Sequence, residues 1–219
     1  MNIQKLKEEQ LKLAEKVIII DSFDKIKYIG GCDQSYSGNK IISCVVVMDE
    51  KMKIVDKAFA EKECNFPYIP GFLSYRESPA VVEAFNKLKI KPDILMVDGN
   101  GILHPRRFGM ASHLGIILDI PTIGITKSLL IGKVIDGKIE VDKEIRGMEV
   151  KTREFSNPLY VSPGHRISLK TAVEIVKKSI IFPHKLPEPL HLAHRLAKKR
   201  KENSEQKNTA PIASASISS

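Results

Sequence analysis

The hydrophobic positions of this chain change period twice, and those changes predict its architecture. Leu6, Leu13 and Val17 recur at spacings of seven and four with Lys and Glu between them, the pattern of an amphipathic helix resting on the outside of a sheet. Three strand-like runs follow, Tyr28 to Tyr36, Ile41 to Met48 and Val55 to Glu63. Ser37-Gly38-Asn39 and the polar stretch Asp49 to Lys53 separate them and suit tight reversals, so an antiparallel meander is expected.

A Pro- and Gly-containing loop, Asn65 to Gly71, then leads to Ser78-Pro79, where Ser can cap a helix and Pro can occupy its first turn ahead of Val81, Val82 and Phe85. Ile94-Leu95-Met96-Val97, bounded by Asp93 and Asp98, is a short apolar run typical of a buried parallel strand. Pro105 to Leu118 reads as a helix, Thr122 to Ile125 as a second buried strand, Lys133 to Val161 as two weaker strands, and Leu169 to Ile181 as a further helix. The sum is an α/β domain with a mixed sheet. A length of 219 residues with 42% hydrophobic content suffices for one well-buried core, so residues 1–201 are expected to form a single catalytic domain. After the basic run Arg195 to Lys201, residues 202–219 are rich in Ser, Ala, Asn and Thr, and they are expected to form a disordered polar tail.

Charge narrows the partner. The 35 Lys and Arg exceed the 26 Asp and Glu by 9, with a pI near 9.4, which favours a polyanion such as nucleic acid or an acidic membrane surface. No apolar run approaches the roughly 18 residues of a membrane helix, and Met1 to Glu15 lacks the apolar segment of a signal peptide. Cys32, Cys44 and Cys64 form no Cys-x-x-Cys pair, so neither a disulfide framework nor a cysteine zinc site is indicated. The expectation is a soluble protein of the reducing cytoplasm with no membrane partner.

Candidate chemistry gathers where the apolar runs end in acids. Asp33 closes Ile29-Gly30-Gly31-Cys32-Asp33, and Asp98 closes Ile94 to Val97. If the fourth strand lies beside the first, the two carboxylates can converge on one hard cation, with Glu77, just ahead of the expected helix start, as a third oxygen ligand. Gly99-Asn100-Gly101 is not a dinucleotide fingerprint, because position 104 is His; it suits a backbone that must come close to something. His104-Pro105-Arg106-Arg107 lies near an expected helix N-terminus, which favours anions. Lys127, after the strand Thr122 to Ile125, is placed to face the same end of the sheet.

These residues, with Pro67-Tyr68-Ile69-Pro70-Gly71-Phe72-Leu73-Ser74-Tyr75-Arg76-Glu77, Ser112-His113-Leu114-Gly115 and Ile125-Thr126-Lys127-Ser128, resemble the endonuclease V family collinearly from about Ile3 to Ala197. The resemblance implies a ribonuclease H-like mixed β-sheet flanked by helices. It implies Mg²⁺, with Mn²⁺ as an alternative, held by Asp33, Glu77 and Asp98, and His104 and Lys127 beside the scissile phosphate. Pro67, Tyr68, Ile69 and Pro70 would act as a wedge in the strand, and a flipped base would enter a pocket lined by Gly71, Leu73, Gly99, Met110 and Leu130. The implied activity is DNA repair: cleavage of the second phosphodiester bond 3′ to a deaminated adenine (hypoxanthine), leaving 3′-OH and 5′-phosphate ends.

One departure concerns Leu186-Pro187-Glu188-Pro189, which the family commonly follows with Thr-Arg and an Asp, and which here continues as Leu190-His191-Leu192-Ala193-His194. That makes His194 an accessory candidate, while His165 stands outside the catalytic set. Two rival readings remain at this point: an inosine-directed ribonuclease, and a non-catalytic nucleic-acid-binding module, in which the carboxylates would only repel phosphate.

Overall fold

The computed structural model describes residues 2–209. α1 (Ile3–Ala14) is followed by the expected meander of β1 (Ile29–Ser37), β2 (Lys40–Met48) and β3 (Ile54–Glu63). Next come α2 (Leu73–Asn86), β4 (Ile94–Asp98), α3 (Met110–Leu118) and β5 (Thr122–Thr126). β6 (Lys133–Ile135), β7 (Lys138–Val141), β8 (Glu144–Val150) and β9 (Leu159–His165) precede α4 (Leu169–Lys178) and α5 (Glu188–Thr209).

Among the described residues the strands form one sheet in the order β3-β2-β1-β4-β5-β9-β8-β7-β6. β1/β4 and β4/β5 are parallel and the other pairs antiparallel, which gives the mixed α/β sheet that the sequence leads one to expect. β4 and β5 are apolar because both faces are covered. Leu95 and Val97 join Cys32, Val81 and Leu114 in the layer of α2 and α3, while Ile94 and Met96 pack with Ile123, Ile125 and Leu190 on the other face.

α5 crosses that second face. Ala193 and Ala197 lie over Cys44, Val46 and Met48 of β2. Its first turn presses on Gly31, where an added Cβ would stand 2.3 Å from the Pro189 carbonyl carbon. Glycine at that position sets how closely the helix lies on β1. No helix among the described residues is long and apolar enough to cross a membrane.

Three elements depart from the sequence pattern. α2 begins at Leu73 rather than Ser78, with Phe72 as an N-cap that makes no side-chain bond, and it carries Pro79 and Glu77 inside it. α3 begins at Met110 rather than Pro105, because Arg107 takes a left-handed φ of 54° and its N–H bonds back to His104 O at 2.9 Å. The span Lys133 to Val161 holds β6, β7, β8 and the start of β9 rather than two strands. Its hairpins turn on Asp136-Gly137 and Asp142-Lys143, all at positive φ, as type I′ turns require.

The tail also differs from expectation. Residues 202–209 continue α5. Ion pairing supports the continuation: Arg200 meets Glu61 at 3.0 Å, Lys201 lies 3.8 Å from Glu205, and the Ser37 hydroxyl donates to Glu205 at 3.2 Å. Residues 210–219 lie outside the described residues.

Gly31→Ala is expected to lower unfolding free energy by about 1–3 kcal/mol, the usual range for overpacking, because the added methyl meets main chain that cannot yield without displacing α5. Urea denaturation checks this; an unchanged midpoint would show that the helix shifts freely.

Candidate active site

Cys32 stands opposite Val97 in the parallel pair β1/β4, so Asp33 and Asp98, each one residue further on, are lateral neighbours. Cys32 and Val97 point into the α2/α3 layer, which turns both carboxylates toward the face that α5 covers. Asp33 is buried, and its Oδ2 lies 2.5 Å from His194 Nδ1 on α5. Asp98 Oδ2 accepts a hydrogen bond from Lys127 Nζ at 2.9 Å. Burial, and then the neighbouring Asp98, push the Asp33 carboxyl above the usual range, opposed by the Gln34 N–H and by His194. Burial weakens the hold of Lys127 on its proton, but Asp98 and Asp33 outweigh it, so the ammonium ends above its ordinary pKa and is positively charged.

Glu77 reaches the site from α2. It is buried and accepts a hydrogen bond from the Tyr36 hydroxyl at 2.5 Å, while Arg76 Nε donates to the same hydroxyl at 3.2 Å. Burial raises the Glu77 pKa to about 7; the Tyr36 hydrogen bond opposes the rise, and Asp33 and Asp98 add to it.

Among the described residues no three His, Cys, Asp or Glu side chains meet in an arrangement that would hold an ion as they stand. Each carboxylate is engaged within the protein: Asp33 by His194, Asp98 by Lys127 and Glu77 by Tyr36. The set still fits a hard divalent cation in kind. It offers three carboxylates, two of them buried with raised pKa values, and a cation would relieve the repulsion that Asp98 adds to both.

A second feature lies beside α3. Ile69-Pro70-Gly71-Phe72 closes a turn through Phe72 N–H to Ile69 O at 3.0 Å. Pro70 supplies the fixed φ of the second position, and Gly71, at φ +80°, the left-handed third position of a type II turn. The Gly71 carbonyl accepts from Gln10 Nε2 at 3.1 Å, Arg106 Nη2 at 2.8 Å and His104 Nε2 at 3.2 Å. His104 Nδ1 accepts the Arg106 N–H at 3.2 Å, so the ring proton sits on Nε2. Burial and Arg106 depress the His104 pKa to about 4, and the ring is neutral at neutral pH.

This loop and the start of α3 enclose a pocket of about 120 Å³. That is well below the ~300–1,000 Å³ of drug-sized sites and suits one flat heterocycle. Gly71, Leu73, Met110 and Leu130 line it with Tyr68, Ile69 and Pro70. Gly99 stands behind Met110, whose Cβ would lie 3.0 Å from a Cβ placed there, and Asn100 takes the place in the wall. Ser74 Oγ and Asn100 Oδ1, both on lining residues, are buried and have no hydrogen-bond partner among the described residues. Tyr68 is 70% exposed and Pro67 and Pro70 are exposed, so the loop turns its aromatic ring to solvent rather than to the core.

The structure thus groups Asp33, Glu77, Asp98, Lys127 and His194. His104 it places in the pocket wall, bonded to Gly71 and Arg106 rather than to the carboxylates. His165 accepts the Ile18 N–H at 3.3 Å, a tie between segments. Sequence reasoning passed over Tyr36, Arg76 and Gln10. Gln10 had a signal, since it falls four residues after Leu6 on the apolar stripe of α1, where a polar side chain calls for a buried partner.

The proteins this chain resembles in sequence and in structure share a name. The Endonuclease V family model matches residues 11–195. The chain is 46% identical over 210 residues to endonuclease V of Dictyoglomus turgidum, covering 92% of this chain and 90% of that protein. Endonuclease V of Thermofilum pendens is 40% identical over 203 residues, 90% of this chain and 88% of its own length. The structure of Streptomyces avermitilis endonuclease V matches with a TM-score of 0.86 at 28% identity, covering 93% of this chain and 95% of that one. Ciona intestinalis endonuclease V, solved in complex with a 24mer DNA containing an inosine followed by a ribo-adenosine, matches with a TM-score of 0.83 at 30% identity, over 92% and 98% of the two chains. With a family match spanning most of its length and relatives aligned nearly end to end, the chain belongs to the endonuclease V family.

Proposed function

We propose that this protein is a divalent-cation-dependent endonuclease of DNA repair that cuts the second phosphodiester bond 3′ to hypoxanthine. The observation that carries the reading is the crowding of Asp33, Asp98 and Glu77 at one end of the sheet beside Lys127. The Ciona relative, bound to inosine-containing DNA, supports the substrate class and a nucleic-acid partner. The carboxylates also argue against a purely binding role, since uncompensated acids repel phosphate.

Asp33, Glu77 and Asp98 would hold Mg²⁺, or Mn²⁺ in its place, and that ion would supply Lewis-acid stabilisation of the phosphate and an activated water. Lys127 adds a fixed positive charge against the negative charge that develops on the phosphorane. His194 holds Asp33 in place through its Nδ1 contact, and Tyr36 does the same for Glu77. The stiff Pro67-to-Gly71 loop presents Tyr68 to fill the gap left by a flipped base. The Gly71 carbonyl already has three donors, whereas Ser74 Oγ and Asn100 Oδ1, on residues of the pocket wall, are unpaired among the described residues and would have to be uncovered to meet a base edge. Neutral His104 serves here as the clamp on Gly71.

A second reading, an inosine-directed ribonuclease, is favoured by one observation: in the Ciona complex the inosine is followed by a ribonucleotide. Matched inosine strands that differ only in a deoxy- or ribonucleotide after the lesion, incubated with and without Mg²⁺, separate the two. Cleavage of neither strand would defeat both.

Asp33→Asn and Asp98→Asn are expected to abolish cleavage while leaving strand binding intact or tighter, because each removes a ligand and a charge that faces phosphate. Turnover near that of the parent protein in Mg²⁺ would sink the assignment.

Glu77 sets a pH dependence. Without a cation, the folded chain holds a Glu77 proton between 4.5 and about 7 that the unfolded chain has released, so stability falls as pH rises through that window. Cation binding must expel that proton, and affinity for Mg²⁺ is expected to weaken about tenfold per pH unit below about 7. Titration calorimetry of the parent and of Glu77→Gln tests this; a parent affinity flat in pH would place Glu77 outside the cation site.

Tyr68→Ala is expected to weaken binding of inosine strands about ten- to a hundredfold, with a smaller effect on undamaged duplex, which is held mainly through phosphates. Equal losses on both substrates in an anisotropy titration would leave Tyr68 as a general contact.

A further inference from the structure

Two phenyl rings stand in solvent on neighbouring loops, and nothing in the proposed cleavage uses them. Phe155, in the loop 151–158 between β8 and β9, is 96% exposed, and Phe182, between α4 and α5, is 85% exposed. Phe155 also takes φ +55°, a left-handed conformation that a bulky residue rarely adopts. Their loops form one surface: the Thr152 hydroxyl donates to Lys185 O at 2.8 Å, and the Arg153 guanidinium donates to Pro183 O at 3.4 Å. Lys151, Arg153, Lys177 and Lys178 are exposed on these loops and at the end of α4, with Glu154 as an acidic exception.

The register places this corner. Leu159, the first residue of β9, pairs with Val150, and Tyr160 lies opposite Thr126, the residue before Lys127. The loop 151–158 therefore leaves the sheet at the same end as Lys127. β9 is two strands from β4, which carries Asp98; at the usual spacing of neighbouring strands that is ~10 Å. The Phe182 loop runs directly into α5, whose His194 contacts Asp33.

We propose that Phe155 and Phe182 form a stacking platform for unpaired bases of the strand that is cut at the carboxylate site, with Lys151 and Arg153 on its phosphates. The platform rests on the cleavage reading above and extends it to a second contact with the same strand. Aromatic rings set among cations are how single strands are gripped without regard to sequence. The core of a protein-binding surface is depleted in Lys, and a paired duplex offers no open base face to a phenyl ring. Continuity with the carboxylate end selects the substrate strand over an unrelated nucleic acid.

The test is Phe155→Ala/Phe182→Ala, two exposed positions whose loss leaves the melting temperature unchanged. On long single strands, with or without inosine, the double variant is expected to bind roughly ten- to a hundredfold more weakly. On strands trimmed from one side of the lesion it is expected to match the parent, and the side on which parity appears gives the direction of the strand. Lys151→Glu/Arg153→Glu is expected to reduce the slope of log affinity against log salt by about 1.4, at roughly 0.7 per neutralised phosphate contact. Equal loss at every strand length, no loss, or a lowered melting temperature overturns the platform. Unchanged strand binding with altered sedimentation also overturns it and makes the patch a contact between copies of the chain. Inosine-free strands measure the platform apart from cleavage, so a parent protein that grips them but cuts no inosine strand defeats only the cleavage reading.

Discussion

Two carboxylates side by side on neighbouring parallel strands govern the rest of the site. Pairing of β1 with β4 leaves Asp33 and Asp98 about one strand spacing apart, ~5 Å, on one face and partly out of water, where like charges raise each other's cost. The fold meets that cost with a partner from a different element for each acid: His194 from α5 for Asp33, Lys127 from the end of β5 for Asp98, and Tyr36 from β1 for Glu77. Gly31 belongs to the same arrangement. Only a residue without Cβ lets the Pro189 main chain lie against β1, and that approach brings His194, just over one helical turn further on, to Asp33.

The pocket loop shows the opposite strategy, a neutral site fixed by saturation. Pro70 and Gly71 define the type II turn, and three donors converge on one carbonyl so that the turn cannot rotate. One of them, His104, serves as a donor because burial keeps it uncharged. Arg106 also lies over the Phe72 ring at 4.5 Å, which ties the start of α2 to the loop. The helix that carries Glu77 and the loop that carries Tyr68 are thus braced by the same guanidinium, which links the pocket to the acid cluster.

Much of this was legible in the sequence where one-dimensional pattern and three-dimensional neighbourhood coincide. Apolar runs ending in Asp33 and Asp98 show that both acids stand at strand ends, and the meander followed by strand-helix-strand predicts which strands meet. Glu77 was legible as a ligand candidate but not as a helical residue. Ser78-Pro79 looks like a helix start, whereas α2 begins at Leu73, behind an N-cap Phe72 that makes no side-chain bond, because packing of Ser74, Ala80 and Val81 outweighs the absent cap bond and the internal Pro79. Asp136-Gly137 was a readable hairpin signal; Asp142-Lys143, left-handed without any glycine, was not. The continuation of α5 into residues 202–209 depends on partners distant in sequence, Glu61 with Arg200 and Ser37 with Glu205, which composition cannot show.

The same charges bear on how a polyanion enters. The net charge of +9 attracts nucleic acid from a distance, but salt screens it beyond about 8–10 Å, so it does not neutralise the acids locally. With Asp33, Asp98 and Glu77 ionised the cluster carries −3, and Lys127 reduces that to −3 + 1 = −2. A phosphodiester approaching −2 is repelled at the point where the proposed cleavage would take place. In the proposed reading one divalent cation would bring the group to −2 + 2 = 0 and turn the centre from a barrier into a seat for phosphate. Without an ion, the proton that Glu77 retains up to about pH 7 performs part of that neutralisation, on an oxygen that the proposed ion would need. If Glu77 is a ligand, as proposed, proton and cation would compete for one carboxylate, and the fold that buries Glu77 against Tyr36 would set where that competition turns.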